Sequence, residues 1–230
     1  MNLFKYFYYL RFRPKIFLPQ KSYSMLGEDV EIDKFFYNKS NGFYIDVGCY
    51  HPLEGNNTYL LYERNWRGIN IDANSLSIEL FNMARPKDIN INLAVDQKKS
   101  QTKLFFRKEI NMLNTISKKF AKIHFLKGFK EKLVNTDTLD SIIEKTVYKG
   151  REIDFLNIDV EGNELNVLHS LNFDLYKPKL ICIEIHNPDK MYTYDEAKII
   201  ESPIYNFLQK SGYKKKWNKE FSFIFEKIKK

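Results

Sequence analysis

Short apolar runs alternate with helix-spaced segments along most of the chain. The runs Phe43 to Val47, Ile69 to Asp72, Ile89 to Val95, Ile153 to Asp159 and Leu180 to Ile185 are too brief for helices and rich in Ile and Val, and they predict buried strands. Thr102 to Arg107 reads as a further strand. Between them, Glu28 to Asn38 places Val30, Ile32, Phe35 and Phe36 near helical spacing, and Asn41-Gly42 then turns the chain into the first strand. Asn56 to Trp66 predicts a helix ended by Gly68, and Ser75 to Met83 one closed by Arg85-Pro86. Thr138 opens a helix through Lys145, Glu164 to Leu171 forms another, and Asp195 to Gln209 is helical but broken near Pro203. Tyr213 to Trp217 and Phe221 to Glu226 flank Asn218-Lys219 as a hairpin. Residues 108–130 follow neither period, which suggests a lid or binding loop. The alternation predicts an α/β, Rossmann-like fold: a mostly parallel sheet with helices on both faces and a C-terminal antiparallel hairpin strand.

Length adds the domain plan. The 230 residues suit one domain, 21–230, behind an N-terminal arm, 1–20, interrupted by Pro14 and Pro19. The arm mixes Phe4, Tyr6, Phe7, Tyr8 and Tyr9 with Lys5, Arg11, Arg13 and Lys15, and lacks the apolar core of a signal peptide. It suits a helix packed on the domain, or peripheral contact with an anionic membrane surface. No uncharged apolar stretch is long enough to span a bilayer. Cys49 and Cys182 fall in or beside strand runs as small buried residues, with neither disulfide nor zinc spacing, so a reducing cytoplasm is expected. The net charge of +8 favours acidic partners in general. The abundance of Lys, Asn, Ile, Phe and Tyr explains it equally well as a compositional skew.

Open α/β sheets bind ligands beyond the C-terminal ends of their strands. The polar residues that follow apolar runs here are Asp46, Asp72, Asp159, Glu184 and His186. Gly48 permits a tight turn after the first run, and Asp72 ends the second, where an acidic side chain accepts hydrogen bonds from ribose hydroxyls. A dinucleotide would need Gly-x-Gly-x-x-Gly to seat its pyrophosphate. The segment here is Gly48-Cys49-Tyr50-His51-Pro52, which lacks the second and third glycines and argues for a phosphate-free nucleoside cofactor.

Several blocks, in order, then carry a resemblance. Ser22 to Asp29 is similar to a Ser-x-x-Gly-Glu-Asp segment, Tyr44 to Pro52 to an Ile-Asp-Val-Gly-Ala block, and Asn57 to Tyr62 with Trp66 to Asp72 to the block after it. Asn92 to Val95, Thr138 to Asp140 and Asp154 to Glu164 complete the series. Over residues 22–190 the chain resembles the FkbM family of S-adenosylmethionine (SAM) dependent methyltransferases. Cys49 stands where a small Ala is usual, and Asp72 where Glu is common. The resemblance implies a class I methyltransferase sheet and methyl transfer to oxygen, often a sugar hydroxyl in a glycan or natural product. It implies cofactor contacts at Glu28, Asp46, Gly48, Asn57, Thr58, Asp72, Ala73 and Ala94.

A sugar hydroxyl must be aligned with the methyl group and must lose its proton, to a base or with help from a metal. Asp159 ends one run, and Glu184 and His186, two residues apart, end another that is expected to lie beside it. This makes Asp159, His186 and Glu161 the candidate catalytic residues, and Asp159, Glu184 and His186 the candidate ligands for Mg²⁺ or Mn²⁺. Without metal, His186 is the natural base. His124 and His169 read as surface residues, and Phe105, Phe106, Phe120 and Phe125 as core or lid packing. The partners implied are a sugar or glycan acceptor and, through residues 1–20, the inner membrane face, with homo-oligomer formation left open. Two other readings stay open. A nucleic-acid methyltransferase fits the charge but lacks an Asn-Pro-Pro-Tyr or Pro-Cys block, and a non-catalytic membrane-associated module would bind lipid without turnover.

Overall fold

The computed structural model describes residues 20–187 and 193–228. All of the expected N-terminal arm except Gln20 lies outside the described residues. No described helix is long and apolar enough to cross a membrane.

Seven strands form the main sheet. β1 (Phe43–Val47) lies between β2 (Arg67–Asp72) and β7 (Phe155–Ile158); β3 (Ile89–Asn92) flanks β2, and β8 (Leu180–Glu184) flanks β7, all in parallel. The C-terminal hairpin of β9 (Tyr213–Lys219) and β10 (Ser222–Lys227) inserts β10 antiparallel against β8 and leaves β9 at the edge. The order is therefore β3-β2-β1-β7-β8-β10-β9, and the mostly parallel sheet with a C-terminal antiparallel hairpin is the one that the alternation of runs predicts. Every residue of β1 is buried because both faces of the sheet are covered, which is why such strands read as unbroken apolar runs. Phe43, Ile45 and Val47 pack on one face with Ile69, Leu156 and Ile181, while Tyr44 meets Trp66, Phe155 and Ile32 on the other.

The helices match the expected positions with trimmed ends. α1 (Glu28–Phe35) and α2 (Tyr59–Glu63) are shorter than Glu28 to Asn38 and Asn56 to Trp66. Asn56 and Thr58 stay outside α2 because their side chains serve a buried polar network. Gly68 does not end that helix: it lies inside β2, where a Cβ would stand 2.3 Å from the Tyr44 ring. α3 (Ser75–Ala84) begins at Asn74, whose side chain accepts from the Leu76 amide, and α5 (Leu139–Glu144) begins at Thr138 in the same way. α6 (Glu164–His169) follows β7. The expected break at Pro203 separates α7 (Glu196–Ile200) from α8 (Pro203–Lys210), which opens on a Ser202 cap and a proline whose missing N–H costs a helix nothing there.

A second, three-stranded sheet covers the C-terminal end of the first. The single strand expected over Ile89 to Val95 divides: after β3, Leu93 bonds to the Asp72 carbonyl and β4 (Ala94–Val95) leaves to pair with β6 (Lys130–Asp137). β6 also pairs antiparallel with β5 (Ser100–Phe106). It escapes a hydrophobic reading because most of it is solvent-facing; Leu133 is 67% exposed. Within the stretch 108–130 lies α4 (Lys118–His124), capped by Ser117. At the far edge of the main sheet, β9 is studded with lysines. Lys214 and Lys216 pair with Glu226 at 2.9 and 3.0 Å, and Lys215 with Glu196 at 2.5 Å.

Candidate active site

Two clefts open where β1, β2 and β7 end. The first, of about 540 Å³, is walled by Gly48, Asp72, Ala73 and Ala94 and roofed by residues 111–116. The turn after β1 is fixed by Gly48 and Cys49 amides donating to the Ile71 carbonyl, with Gly48 at φ +81°. Asp72 Oδ2 accepts from the Tyr50 amide at 2.9 Å and Oδ1 from the Asn74 amide at 2.7 Å, which aims the carboxylate and leaves each oxygen a further lone pair. Enclosure pushes the Asp72 pKa up to about 6 against the pull of these two amides. The roof is pinned by Asn74 donating to the Glu109 carbonyl and Thr115 donating to the Glu161 carbonyl, at 2.5 and 2.7 Å. Asn114 Oδ1, in a residue of the roof, is buried and accepts no hydrogen bond from the described residues.

Four of the eight expected cofactor residues, Gly48, Asp72, Ala73 and Ala94, line this cleft, and the other four do not. Side chains alternate along β1, so Asp46 faces the same side as Tyr44 and lines neither cleft. Its carboxylate accepts from Thr58 Oγ1 at 2.8 Å, Asn157 Nδ2 at 2.9 Å and Asn56 Nδ2 at 3.3 Å. Thr58 and Asn56 in turn accept from Arg85, which is fully buried and also donates to the Pro52 carbonyl. Asp46 and Thr58 therefore belong to an internal network that sets the β1–α2 connection, and Arg85 is its unforeseen centre. Glu28 and Asn57 line the second cleft instead. Asp154, part of a block that carries the resemblance, ties Lys39 and Lys179 to the opposite end of the sheet.

The second cleft, of about 1040 Å³, lies beyond β7 and β8 and holds Asp159, Glu161, Glu184 and His186 together, as the adjacency of these strands predicts. Gly48 and Asp159 line both clefts and form their junction. Glu161 stands at φ +57°, a left-handed conformation that costs a non-glycine residue energy and recurs at functional turns. His186 Nε2 lies 3.2 Å from Glu184 Oε2. Burial, then repulsion from Glu184, Glu164 and other carboxylates, raises Asp159 well above the usual carboxylate range. Burial followed by the same neighbours pushes Glu161 up to about 11, and burial with Glu164 and Glu28 pushes Glu184 up to about 8. Concentrating buried acids costs stability, and such concentration marks functional sites.

The ligand set changes by one residue. Donor atoms of Glu161, Glu184 and His186 all lie within 4.8 Å of one another, whereas the expected Asp159 is not part of this group. His124, read as a surface residue, lines the second cleft. Its ring stacks on Phe120 at 3.8 Å, and burial together with His186 lowers its pKa to about 4. The four-residue spacing of Phe120 and His124 on one helix face carried that information.

Fold and clefts together define a Rossmann-like α/β protein with two clefts at the ends of its parallel strands. The model of the methyltransferase FkbM domain matches residues 46–215, most of the chain, so this protein belongs to the FkbM-domain methyltransferase family. Among curated proteins none matches the sequence. A solved structure to which the chain is similar is a TehB-like SAM-dependent methyltransferase from Corynebacterium glutamicum, with TM-score 0.43 and 11% identity over 97% of each chain. A likeness this distant transfers no chemistry.

Proposed function

We propose that the protein transfers the methyl group of SAM to a hydroxyl oxygen of a sugar, nucleotide-linked or within a glycan, or of a natural product. One observation carries the reading: among the described residues the first cleft is lined by no lysine or arginine, its acidic residues are Asp72 and Asp159, and it meets a second, acid-lined cleft at Asp159. A wall without cations suits a nucleoside that bears a sulfonium and an ammonium rather than phosphates. Asp72 has lone pairs for the ribose hydroxyls, and the orphaned Asn114 Oδ1 is an acceptor for an exocyclic amine.

Bound there, SAM supplies an electrophilic methyl: the acceptor oxygen–carbon bond forms as the carbon–sulfur bond breaks and its electron pair stays on sulfur. Asp159 lines both clefts, at their junction, and there takes the hydroxyl proton. The turn through Glu161 and Gly162 and the Phe120–His124 stack shape the acceptor side.

Calorimetry with SAM tests the cofactor, and transfer of a labelled methyl to a panel of nucleotide sugars and glycans tests the acceptor. No heat at high-micromolar protein removes the cofactor reading. Label appearing on a nucleic-acid base instead of a hydroxyl removes the acceptor class.

A further inference from the structure

The second cleft contains more acid than proton transfer requires. Among the described residues, no lysine or arginine forms an ion pair with Asp159, Glu161, Glu164 or Glu184. Glu164 is held by the Gly162 amide at 2.8 Å, and Glu184 by His186. Glu161 is different. Its residue is only 7% exposed, and its carboxylate hydrogen-bonds to no described residue. A carboxylate enclosed in this way ionises at low cost only where a cation meets it.

We infer that Glu161, Glu184 and His186 bind one divalent cation, of the Mn²⁺ class, on the acceptor side of the junction. Their donor atoms lie within 4.8 Å of one another. Octahedral ligands at about 2.1 Å from a metal are separated by roughly 3–4 Å, so the three need to close only slightly. Two carboxylate oxygens and one imidazole nitrogen match Mn²⁺ better than Mg²⁺, which prefers oxygen alone, and lack the thiolates that favour softer ions. Three protein ligands on one side leave positions open toward the cleft for water or for an acceptor hydroxyl. Resting on the proposed methyl transfer, the cation binds that hydroxyl and makes its proton easier for Asp159 to remove.

The test is Mn²⁺ binding to the metal-free full chain, followed by electron paramagnetic resonance and calorimetry. One site per chain is expected. Glu161→Gln, Glu184→Gln and His186→Ala should each weaken it by more than about tenfold, since even the loss of a ligand's supporting partner has that effect. Glu164→Gln should leave it within about threefold, because Glu164 adds charge but no ligand. Circular dichroism of each variant confirms folding, and the wild-type titration stands without them. No binding at millimolar Mn²⁺, an unchanged Glu161→Gln, or equal losses in Glu161→Gln and Glu164→Gln would overturn the site. SAM titrated into the same metal-free protein is read separately: its failure overturns the cofactor reading and leaves the cation site standing.

Discussion

A Cβ on Gly48 would stand 1.7 Å from the carbonyl oxygen of Asp159. The turn that walls the first cleft and the strand end that carries Asp159 are thus in close backbone contact. Gly48→Ala adds this clash to a left-handed φ. The combined cost is about 2–5 kcal/mol, and the melting temperature should fall by roughly 5–15 °C. An unchanged melt would show that the turn relaxes freely.

Arg85, which lines neither cleft, holds together the network around Asp46. Arg85→Met strips donors from Asn56, Thr58 and the Pro52 carbonyl and leaves Asp46 buried without its counter-charge. Breaking a buried pair on one side costs about 3–5 kcal/mol, measurable by urea unfolding. Asp46→Asn in the same chain should recover part of the loss. Additive losses would mean the two residues are independent.

Asp72 makes stability and cofactor binding respond to pH in opposite directions. Its folded pKa, about 6, lies above the ordinary value of 3.8, so the folded state holds the proton more tightly. The stability it contributes is complete below pH 3.8 and is lost as pH rises through 6. The ribose hydroxyls need the ionised form, so SAM affinity should weaken as pH falls through 6, by roughly tenfold one pH unit lower. Calorimetry at pH 7.5 and pH 5 reads this, and Asp72→Asn should flatten the difference.

Asp159→Asn keeps the shape and removes the base. The expected result is a loss of about 10²–10⁴ in kcat with SAM affinity within about threefold. Equal loss in kcat and in SAM affinity would make Asp159 a cofactor contact only.

The parallel core was legible because its central strands β1, β2, β7 and β8 are buried on both faces and so are written as largely apolar runs. β6 was not: it opens on Lys130, Glu131 and Lys132, which are exposed or half-buried on both faces, and its partner strands are set by tertiary contacts rather than by its own pattern. Asp72, Asp159, Glu184 and His186, picked out as polar residues after apolar runs, line the two clefts. The direction of each side chain was harder. Asp46 belongs to the same short motif as Gly48, yet alternation turns it into the interior, and only the depth of Arg85 shows what it is for. The exchange of Glu161 for Asp159 among the clustered donors depends on a left-handed turn that no spacing rule announces.

The lysines of β9 have a consequence for how copies of the chain meet. An edge strand offers unpaired amides and carbonyls to any other strand. Here Lys214, Lys215 and Lys216 are anchored by Glu226 and Glu196, so a second β9 laid alongside would bring a row of ammonium groups against its like. Lysines so placed disfavour extension of the sheet at that end.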